Sequence, residues 1–241
     1  MQVVVLAGGL GMRLRPLTQQ IPKALIPVCG RPFIEYQLER FRSQGIRDIV
    51  LCVGHLGHLI EAHLGDGQRF GVRIRYSRDG DRLLGTGGAI KRAEPWLEDP
   101  FFVQYGDSYL RVDYHAVAAA FRRRDRLGLM VVYRNEDRWD RSNVVVEDGF
   151  VTVYDKRVRL PGMTYIDYGV LLFRTAALAE VPSDQEVDLS VLLQRLIARR
   201  QLLAYETPQR FYEVGSPAGL KEFESFVASG QLEQLTRNIM T

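Results

Sequence analysis

MQVVVLAGGLGMRLRPLTQQIPKALIP, residues 1–27, is the stretch that decides how this chain folds. The apolar run 3–7 predicts a first β-strand, and the glycine-rich residues 8–11 follow it directly. Because glycine has no Cβ, such a loop lets backbone N–H groups come close to phosphate oxygens. Two cations that suit phosphates, Arg13 and Lys23, follow at short range. The sequence therefore predicts a nucleoside triphosphate site at the carboxyl end of the first strand.

Two commoner glycine loops do not fit these residues. A dinucleotide-binding loop has the pattern G-x-G-x-x-G, and counted from Gly9 its third glycine falls on Leu14. A P-loop closes with Gly-Lys followed by Ser or Thr, and no lysine precedes Lys23. A purely structural turn remains an alternative on the three glycines alone, and the longer string around them argues against it.

The composition is that of a globular protein. The chain has 241 residues, of which 46% are hydrophobic and 25% charged, so it can bury a sizeable core. No stretch approaches the roughly 20 apolar residues that span a membrane, and the N-terminal apolar run lacks the basic start of a signal peptide. Two cysteines, Cys29 and Cys52, are too few for a disulfide framework. We therefore expect reduced thiols and a cytoplasmic location.

Charge gives no reason to expect nucleic acid. The net charge is only +3, and the basic cluster 122–124 follows an apolar helical stretch, where cations complement the C-terminus of a helix. We expect neither a nucleic-acid partner nor a membrane partner. The sequence is compatible with a homo-oligomer.

Strand-like runs alternate with amphipathic segments through the first half of the chain, which predicts β-α units and a mainly parallel sheet with helices on both faces. The pattern differs in the second half, which contains a hairpin at 144–154 around an Asp-Gly turn and a further strand at 163–173. We predict one α/β domain over residues 1–230, whose two halves at about 1–135 and about 136–230 share one mixed sheet, and a tail at 231–241. Further strands are expected at 48–53, 72–76, 100–105 and 127–133, with a short strand leading into Glu213, and helices at 32–44, 58–64, 86–97, 113–124, 188–200 and 217–227.

The string L-A-G-G-x-G-x-R-L-x-P-L-T followed by P-K-x-x-x-P, over residues 6–27, resembles the signature of the sugar-1-phosphate nucleotidylyltransferases, or NDP-sugar pyrophosphorylases. Further matches extend the resemblance to nearly the whole chain. It implies the Rossmann-like nucleotide-diphospho-sugar transferase fold, with a nucleotide-binding half at about 1–135 and a sugar-binding half at about 136–230. It also implies a Mg²⁺-dependent reaction in which a sugar 1-phosphate attacks the α-phosphorus of an NTP and pyrophosphate leaves.

The resemblance assigns roles to residues of this chain. Arg13 is expected to meet the β- and γ-phosphates, and Lys23 to bridge the α-phosphate and the sugar phosphate; these are the implied catalytic cations. Asp107, in Gly106-Asp107, and Glu213, in Glu213-Val214-Gly215-Ser216-Pro217, are the implied metal ligands. The implied nucleotide-binding residues are Leu6, Ala7, Gly8, Gly9, Gly11, Gly85, Thr86, Gly87 and Gly88. The implied sugar-phosphate residues are Asn143, Asp155, Lys156, Asp167 and Gly169.

This chain departs from the family pattern at two places. Glu213 and Ser216 stand where the family commonly has Asp and Thr in D-x-G-T-P, so the metal ligand reaches one methylene further. Asn143 falls near the position of a glycine on the sugar side, so the sugar pocket differs from that of better-known members.

The short length, with Gly85-Thr86-Gly87-Gly88-Ala89 and Tyr105-Gly106-Asp107-Ser108-Tyr109, looks most like heptose-1-phosphate and mannose-1-phosphate guanylyltransferases. An N-acetylmuramate-1-phosphate uridylyltransferase and a phosphocholine cytidylyltransferase remain alternatives. A silent regulatory homologue that binds nucleotide sugars is the non-enzyme alternative. Only Glu213 favours it, because Arg13, Lys23 and Asp107 are all present.

Overall fold

The structure, a computed structural model, describes residues 1–232. These residues form two compact units. The first contains 1–83, 105–109 and the chain from 211 onward, and the second contains 84–104 and 110–210. Each unit is therefore assembled from stretches that are separated in the sequence. Most of the predicted tail, residues 233–241, lies outside the described residues.

The strands are β1 (Gln2–Leu6), β2 (Pro27–Val28), β3 (Arg31–Pro32), β4 (Asp48–Val53), β5 (Arg73–Arg78), β6 (Phe101–Tyr105), β7 (Ser108–Tyr109), β8 (Gly128–Arg134), β9 (Val144–Glu147), β10 (Phe150–Tyr154), β11 (Tyr165–Phe173), β12 (Leu202–Glu206) and β13 (Tyr212–Glu213). The α-helices are α1 (Phe33–Ser43), α2 (Gly57–Leu64), α3 (Gly85–Ala93), α4 (Tyr114–Arg122), α5 (Leu189–Ala198) and α6 (Pro217–Ala228).

In the first unit, three strands pair in parallel in the order β5-β4-β1. The register aligns Gln2 with Asp48 and Asp48 with Arg73, so the three strands start level and their carboxyl ends share one edge. Val3, Val4 and Val5 are wholly buried. A continuous apolar run of this kind is typical of a parallel strand covered on both faces. Ligands on such sheets bind at the carboxyl edge, where residues 8–11 begin.

In the second unit, the strand order is β6-β11-β8-β12-β10-β9. β12 runs parallel to β8, whereas β11 is antiparallel to both β6 and β8. All nine residues of β11 are buried. The sheet is mixed, as expected, and the α/β fold class is confirmed.

Local chemistry explains several element boundaries. The turn between β9 and β10 holds Asp148 at φ 50° and Gly149 at φ 75°, the left-handed pair that a two-residue hairpin requires. Asp113 begins α4 by accepting hydrogen bonds from the N–H groups of His115 and Ala116. No helix among residues 1–232 has the length and apolar character needed to cross a membrane.

The structure differs from the sequence prediction in several elements, among them the two-residue strands β2, β3 and β7, which were not predicted. β12 was not predicted, since Leu202-Leu203-Ala204-Tyr205-Glu206 is short and lacks strict alternation. The helix expected over 86–97 ends as an α-helix at Ala93 and continues as a 3₁₀ turn over Glu94–Trp96. Pro95 lies inside that turn and has no N–H to continue the α-helical ladder.

An aromatic cluster in the first unit packs α6 against α1, β7 and β13. Phe223 is fully buried, and its ring lies 5.4 Å from that of Phe33, 5.6 Å from that of Tyr36, and 5.0 Å from that of Tyr109, between centroids. Such ring pairs add to the stabilisation from buried area. The cluster therefore ties the last helix of the described chain to its first helix.

We expect Phe223→Ala to lower the free energy of unfolding by about 3–5 kcal/mol, because it leaves a cavity among rings that cannot close over it. Urea denaturation followed by circular dichroism measures the change. Val191→Ala, at an exposed position of α5, is the control and should change the free energy by less than about 0.5 kcal/mol. Equal losses of unfolding free energy in the two variants would contradict the stabilising role assigned to this cluster.

Candidate active site

The glycine loop is held in place by the first unit. Ala7 donates its N–H to the carbonyl of Cys52 at 2.8 Å, and a Cβ on Gly8 would stand 3.0 Å from the nitrogen of Gly54. Gly11 has φ +61°, and the Thr18 hydroxyl donates to its carbonyl at 2.8 Å. A Cβ on Gly11 would meet Thr18 at 2.7 Å. Glycine is therefore required at 11 by conformation and by space.

Lys23 and Asp107 form an ion pair. The Nζ of Lys23 lies 2.9 Å from Oδ2 of Asp107, and both side chains are about a quarter exposed, at 21% and 26%. Lys23 begins a 3₁₀ turn, and Asp107 stands between β6 and β7. The structure thus brings together two predicted site residues that are 84 positions apart.

Glu213 and Arg13 meet Asp107 at Gly215. A Cβ on Gly215 would stand 2.7 Å from Oε2 of Glu213, 2.8 Å from Nη2 of Arg13 and 2.8 Å from Oδ2 of Asp107. Three charged side chains therefore reach within 2.8 Å of one point. Together with Lys23, both predicted catalytic cations and both predicted metal carboxylates lie together in the first unit.

Backbone pairing fixes this arrangement. β7 and β13 are antiparallel, with Glu213 opposite Ser108, and the N–H of Val214 donates to the carbonyl of Asp107 at 2.8 Å. The buried Gln37 of α1 donates through Nε2 to the carbonyl of Ser108 at 2.8 Å. The chain before Asp107 also needs a glycine, because a Cβ on Gly106 would lie 2.4 Å from the carbonyl oxygen of Leu6.

The donor set suits a hard divalent cation bound together with phosphates. Among residues 1–232, no group of three or more His, Cys, Asp or Glu side chains is arranged to hold a metal ion by itself. Mg²⁺ commonly takes one or two carboxylates and completes its shell with water and substrate phosphates. Asp107 and Glu213 provide two such carboxylates, so they fit a cation that arrives with a nucleotide.

The second predicted glycine motif begins α3 in the second unit. A Cβ on Gly85 would lie 2.7 Å from the carbonyl oxygen of Val187, and one on Gly88 would lie 2.4 Å from that of Gln185. The N–H of Gly87 donates to Val187 at 2.8 Å. These glycines let the helix start against the main chain that leads into α5. Contact between this motif and a nucleotide stays a prediction.

The predicted sugar-phosphate residues form one hydrogen-bonded group in the second unit. The carboxylate of Asp167, buried with its side chain 1% exposed, accepts from the N–H of Gly169 at 3.0 Å and lies 3.6 Å from Nζ of Lys156. Asn143 Oδ1 accepts the N–H of Asp167 at 2.9 Å. The main chain of Asn143 also accepts the N–H of Asp155 at 3.0 Å. All five predicted residues therefore lie together, with Lys156 as their exposed cation.

The carboxylates of Asp155 and of one further residue, Asp188, shape this group. Backbone N–H groups of Val158 and Arg157 lower the pKa of Asp155, so it closes a tight turn around Lys156 as an anion. Burial opposes ionisation of Asp188, but hydrogen bonds from Ser190 and Thr86, with the charge of Lys156, lower its pKa. The Thr86 hydroxyl lies 3.3 Å from Asp188, which links the start of α3 to the lysine.

Sequence reasoning missed Asp79. It follows β5 at the carboxyl edge of the first unit's sheet and is buried, 7% exposed. Asp79 and the glycine loop both lie next to Gly54. A Cβ on Gly54 would lie 3.0 Å from Oδ2 of Asp79 and 3.0 Å from the carbonyl oxygen of Gly8. The signal in the sequence was an acidic residue directly after a strand of a parallel sheet.

Comparison with known proteins identifies the family. The family model described as nucleotidyl transferase matches residues 2–229, so the chain belongs to this family and the resemblance is confirmed. A D-glycero-α-D-manno-heptose 1-phosphate guanylyltransferase of Campylobacter jejuni is 26% identical over 224 residues, covering 92% of this chain and 98% of that protein.

Two other relatives are longer than the matched region. A UTP–glucose-1-phosphate uridylyltransferase of Synechocystis is 32% identical over 205 residues, 78% of this chain, and the chain spans about half of its length, 53%. An N-acetylmuramate α-1-phosphate uridylyltransferase of Neisseria meningitidis is 42% identical over 117 residues, covering 48% of this chain and 51% of that protein.

Solved structures show the same fold. The crystal structure of HddC from Yersinia pseudotuberculosis has a TM-score of 0.79 at 25% identity, covering 94% of this chain and 99% of that one. A Bacillus anthracis structure in complex with sucrose has a TM-score of 0.81 at 22% identity and covers 94% of each chain.

Proposed function

We propose that this protein transfers a nucleotidyl group from an NTP to a sugar 1-phosphate, giving an NDP-sugar and pyrophosphate. One observation carries the proposal: Arg13, Asp107 and Glu213 reach one point next to Gly215, with Lys23 paired to Asp107. A polyphosphate needs clustered cations, and a divalent ion needs nearby carboxylates. The first unit offers both in the part of the structure that also holds the glycine loop.

The chemistry is a displacement at phosphorus. An oxygen of the sugar 1-phosphate forms a bond to the α-phosphorus, the bond from that phosphorus to the bridging oxygen of the β-phosphate breaks, and pyrophosphate leaves. The protein needs no covalent nucleophile, because positioning and charge neutralisation carry such reactions. Arg13 holds the β- and γ-phosphates through its planar guanidinium, and Lys23 neutralises the α-phosphate.

Asp107 and Glu213 would hold the divalent cation, which the resemblance gives as Mg²⁺. When bound, such an ion neutralises charge on the reacting phosphates. Lys23, paired to Asp107, and Arg13, which reaches the same point at Gly215, offset the repulsion between the two carboxylates before substrate arrives.

The acceptor is bound by the group around Lys156. The Lys156 side chain is half exposed, at 52%, and the buried carboxylate of Asp167 lies 3.6 Å from its ammonium nitrogen. An exposed lysine anchored by a buried carboxylate suits a phosphate better than a neutral hydroxyl. Asn143, Asp155 and Gly169 act by holding this lysine and its turn.

We propose guanine as the base, because of Asp79. Guanine presents two adjacent donors, its N1–H and its 2-amino group, and a carboxylate accepts both. Uracil and thymine place a single N–H between two carbonyls that a carboxylate would repel. A heptose or mannose 1-phosphate is then the proposed acceptor, in line with the guanylyltransferase name of the Campylobacter jejuni relative. Neither Cys29 nor Cys52 forms a disulfide within residues 1–232, which supports the cytoplasm as the location.

One substrate screen distinguishes the guanylyltransferase from the alternatives, which are a uridylyltransferase, a cytidylyltransferase and a silent binding protein. GTP, ATP, CTP, UTP and dTTP at equal concentration are each offered with a panel of sugar 1-phosphates and with phosphocholine, and pyrophosphate release is measured. We expect turnover with GTP. Turnover confined to UTP or CTP would replace the guanylyl assignment, and pyrophosphate release with no pair would favour a silent binding protein.

Asp79→Asn should reduce kcat/KM for GTP by roughly 10- to 150-fold, because one charge-assisted pair of hydrogen bonds is lost. Activity with ATP, measured alongside, should fall far less. Asp81→Asn removes an exposed carboxylate two residues away and is the matched control. A loss that is equal for every NTP would show that Asp79 supports the fold and does not read the base.

Lys156→Ala should raise KM for the sugar 1-phosphate by about 10- to 150-fold and leave the affinity for the NTP within a few fold. Initial rates with each substrate varied in turn separate the two effects. Lys221→Ala, on the surface of α6, controls for general loss of positive charge. Equal weakening of both substrates would remove Lys156 from the acceptor site.

Asp107→Asn should lower kcat by at least about a hundredfold while the protein stays folded, because the loss falls on charge that develops in the reaction. Glu213→Ala should act similarly, whereas Glu213→Asp should keep measurable turnover. Asp125→Asn, an exposed carboxylate elsewhere, is the control. Metal-dependent turnover that survives Glu213→Ala unchanged would remove Glu213 from the metal site and leave the enzyme assignment in place.

A further inference from the structure

Glu213 is longer by one methylene than the aspartate commonly found at its position. A longer side chain has an extra rotatable bond, so its carboxylate needs more contacts to point in one direction. In this structure Glu213 ends β13, and the chain turns through Val214, Gly215 and Ser216 into α6. That turn supplies the contacts.

Both oxygens of the Glu213 carboxylate are held by the turn. The N–H of Gly215 donates to Oε2 at 2.5 Å, and the hydroxyl of Ser216 donates to Oε1. The same Ser216 hydroxyl oxygen accepts the N–H of Gly219 at 3.1 Å, which makes Ser216 the N-cap of α6. One hydroxyl therefore joins the carboxylate to the start of the helix.

Gly219 makes room for this contact. A Cβ there would lie 2.2 Å from Oε1 of Glu213 and 2.4 Å from its main-chain carbonyl oxygen. Glycine in a helix is about 1 kcal/mol less favourable than alanine, so its presence in the first turn of α6 reflects a need for space. A residue with low helix propensity is present here because it lets the Glu213 carboxylate pack against the N-terminus of α6.

The direction of the carboxylate is what places it in the site. With Oε1 held by Ser216, Oε2 faces the point at Gly215 that Asp107 and Arg13 also reach. Replacing a residue that holds a metal ligand in its orientation commonly lowers metal affinity or activity by about 10- to 100-fold. Here the contact comes from a helix cap.

We infer that Ser216 is a positioning residue that fixes Glu213 in the orientation a metal ligand needs, an inference that rests on the proposed function. Its hydroxyl has two separable roles: it caps α6 by accepting from Gly219, and it orients the carboxylate by donating to Oε1. The seat formed by Gly215, Ser216 and Gly219 is what lets glutamate stand at this position.

The test uses the full chain with Ser216→Ala and Ser216→Thr, and Asp113→Ala as a matched cap variant. Asp113 caps α4 in the second unit, where its carboxylate accepts the N–H groups of His115 and Ala116. Binding of Mn²⁺ is measured by the loss of the free-ion paramagnetic resonance signal, in the presence of a saturating non-reactive GTP analogue. Thermal unfolding is measured on the same samples.

We expect Ser216→Ala to raise the dissociation constant for Mn²⁺ by about 10- to 100-fold. Ser216→Thr keeps the hydroxyl and should stay within about threefold of the unmutated protein. Asp113→Ala should lower the melting temperature much as Ser216→Ala does, since each removes one cap, and leave Mn²⁺ binding unchanged. Loss of Mn²⁺ affinity in Asp113→Ala as well would show that only helix stability is involved, and would overturn the inference.

A crystal structure of Ser216→Ala decides the orientation without reference to activity. We expect Glu213 to leave the Gly215 point in that structure. An unmoved carboxylate would overturn the inference even if the protein is an active transferase. Conversely, a protein that releases pyrophosphate with no substrate pair would defeat the proposed function, while the crystal structure would still report on Ser216.

Discussion

The hydrogen bond from the N–H of Val214 to the carbonyl of Asp107 is the contact on which the candidate site depends. It closes the two-residue ladder between β7 and β13 and sets two acidic residues side by side. Neighbouring carboxylates repel, so the arrangement holds only where cations offset the charge. Arg13 and Lys23 supply that offset from a different part of the chain. Backbone pairing thus brings two negative charges together, and two cations from the first 27 residues offset them.

Close approach of main chain to charged groups recurs through the first unit. Gly54 separates the glycine loop from Asp79, and Gly215 stands where three charged side chains meet. In each case a single Cβ would displace a polar atom that the site uses. The glycines of the second unit that begin α3 have different surroundings, since main chain of Val187 lies against Gly85, and main chain of Gln185 with the Cβ of Leu84 lies against Gly88. Glycines in the two units therefore make room for different neighbours. The two named glycines of the first unit lie next to charged side chains, and those that begin α3 lie mostly next to main chain.

The parts of the fold that follow from local patterning were predictable. The strand 48–53 and the Asp-Gly hairpin match the structure because an apolar run and a turn dipeptide carry their own signal. The position of β11 between β6 and β8 was not predictable, because strand order depends on pairing across long sequence separations. The same reason explains the missed β12, whose five residues are fixed by their partner β8.

The site shows the same division. Arg13, Lys23, Asp107 and Glu213 could be named from motifs, and the structure brings them together. Asp79 carries no motif, and its burial beside the glycine loop arises from the parallel pairing of β4 with β5. Ser216 lay within a named motif, but its link to Glu213 depends on how the turn enters α6. What a sequence hides here is the direction in which a side chain points.

The order in which the chain is made has a consequence for the first unit. Its last segment, from Phe211 onward, leaves the ribosome after all of the second unit has been synthesised. Until then Phe33, Tyr36 and Tyr109 lack Phe223, the ring that packs against all three. A nascent chain therefore carries uncovered aromatic surface while the second unit is being synthesised, the kind of exposure that invites aggregation and chaperone binding. The glycine loop is translated before the second unit, and the helix that packs against the same unit's aromatic rings is translated after it.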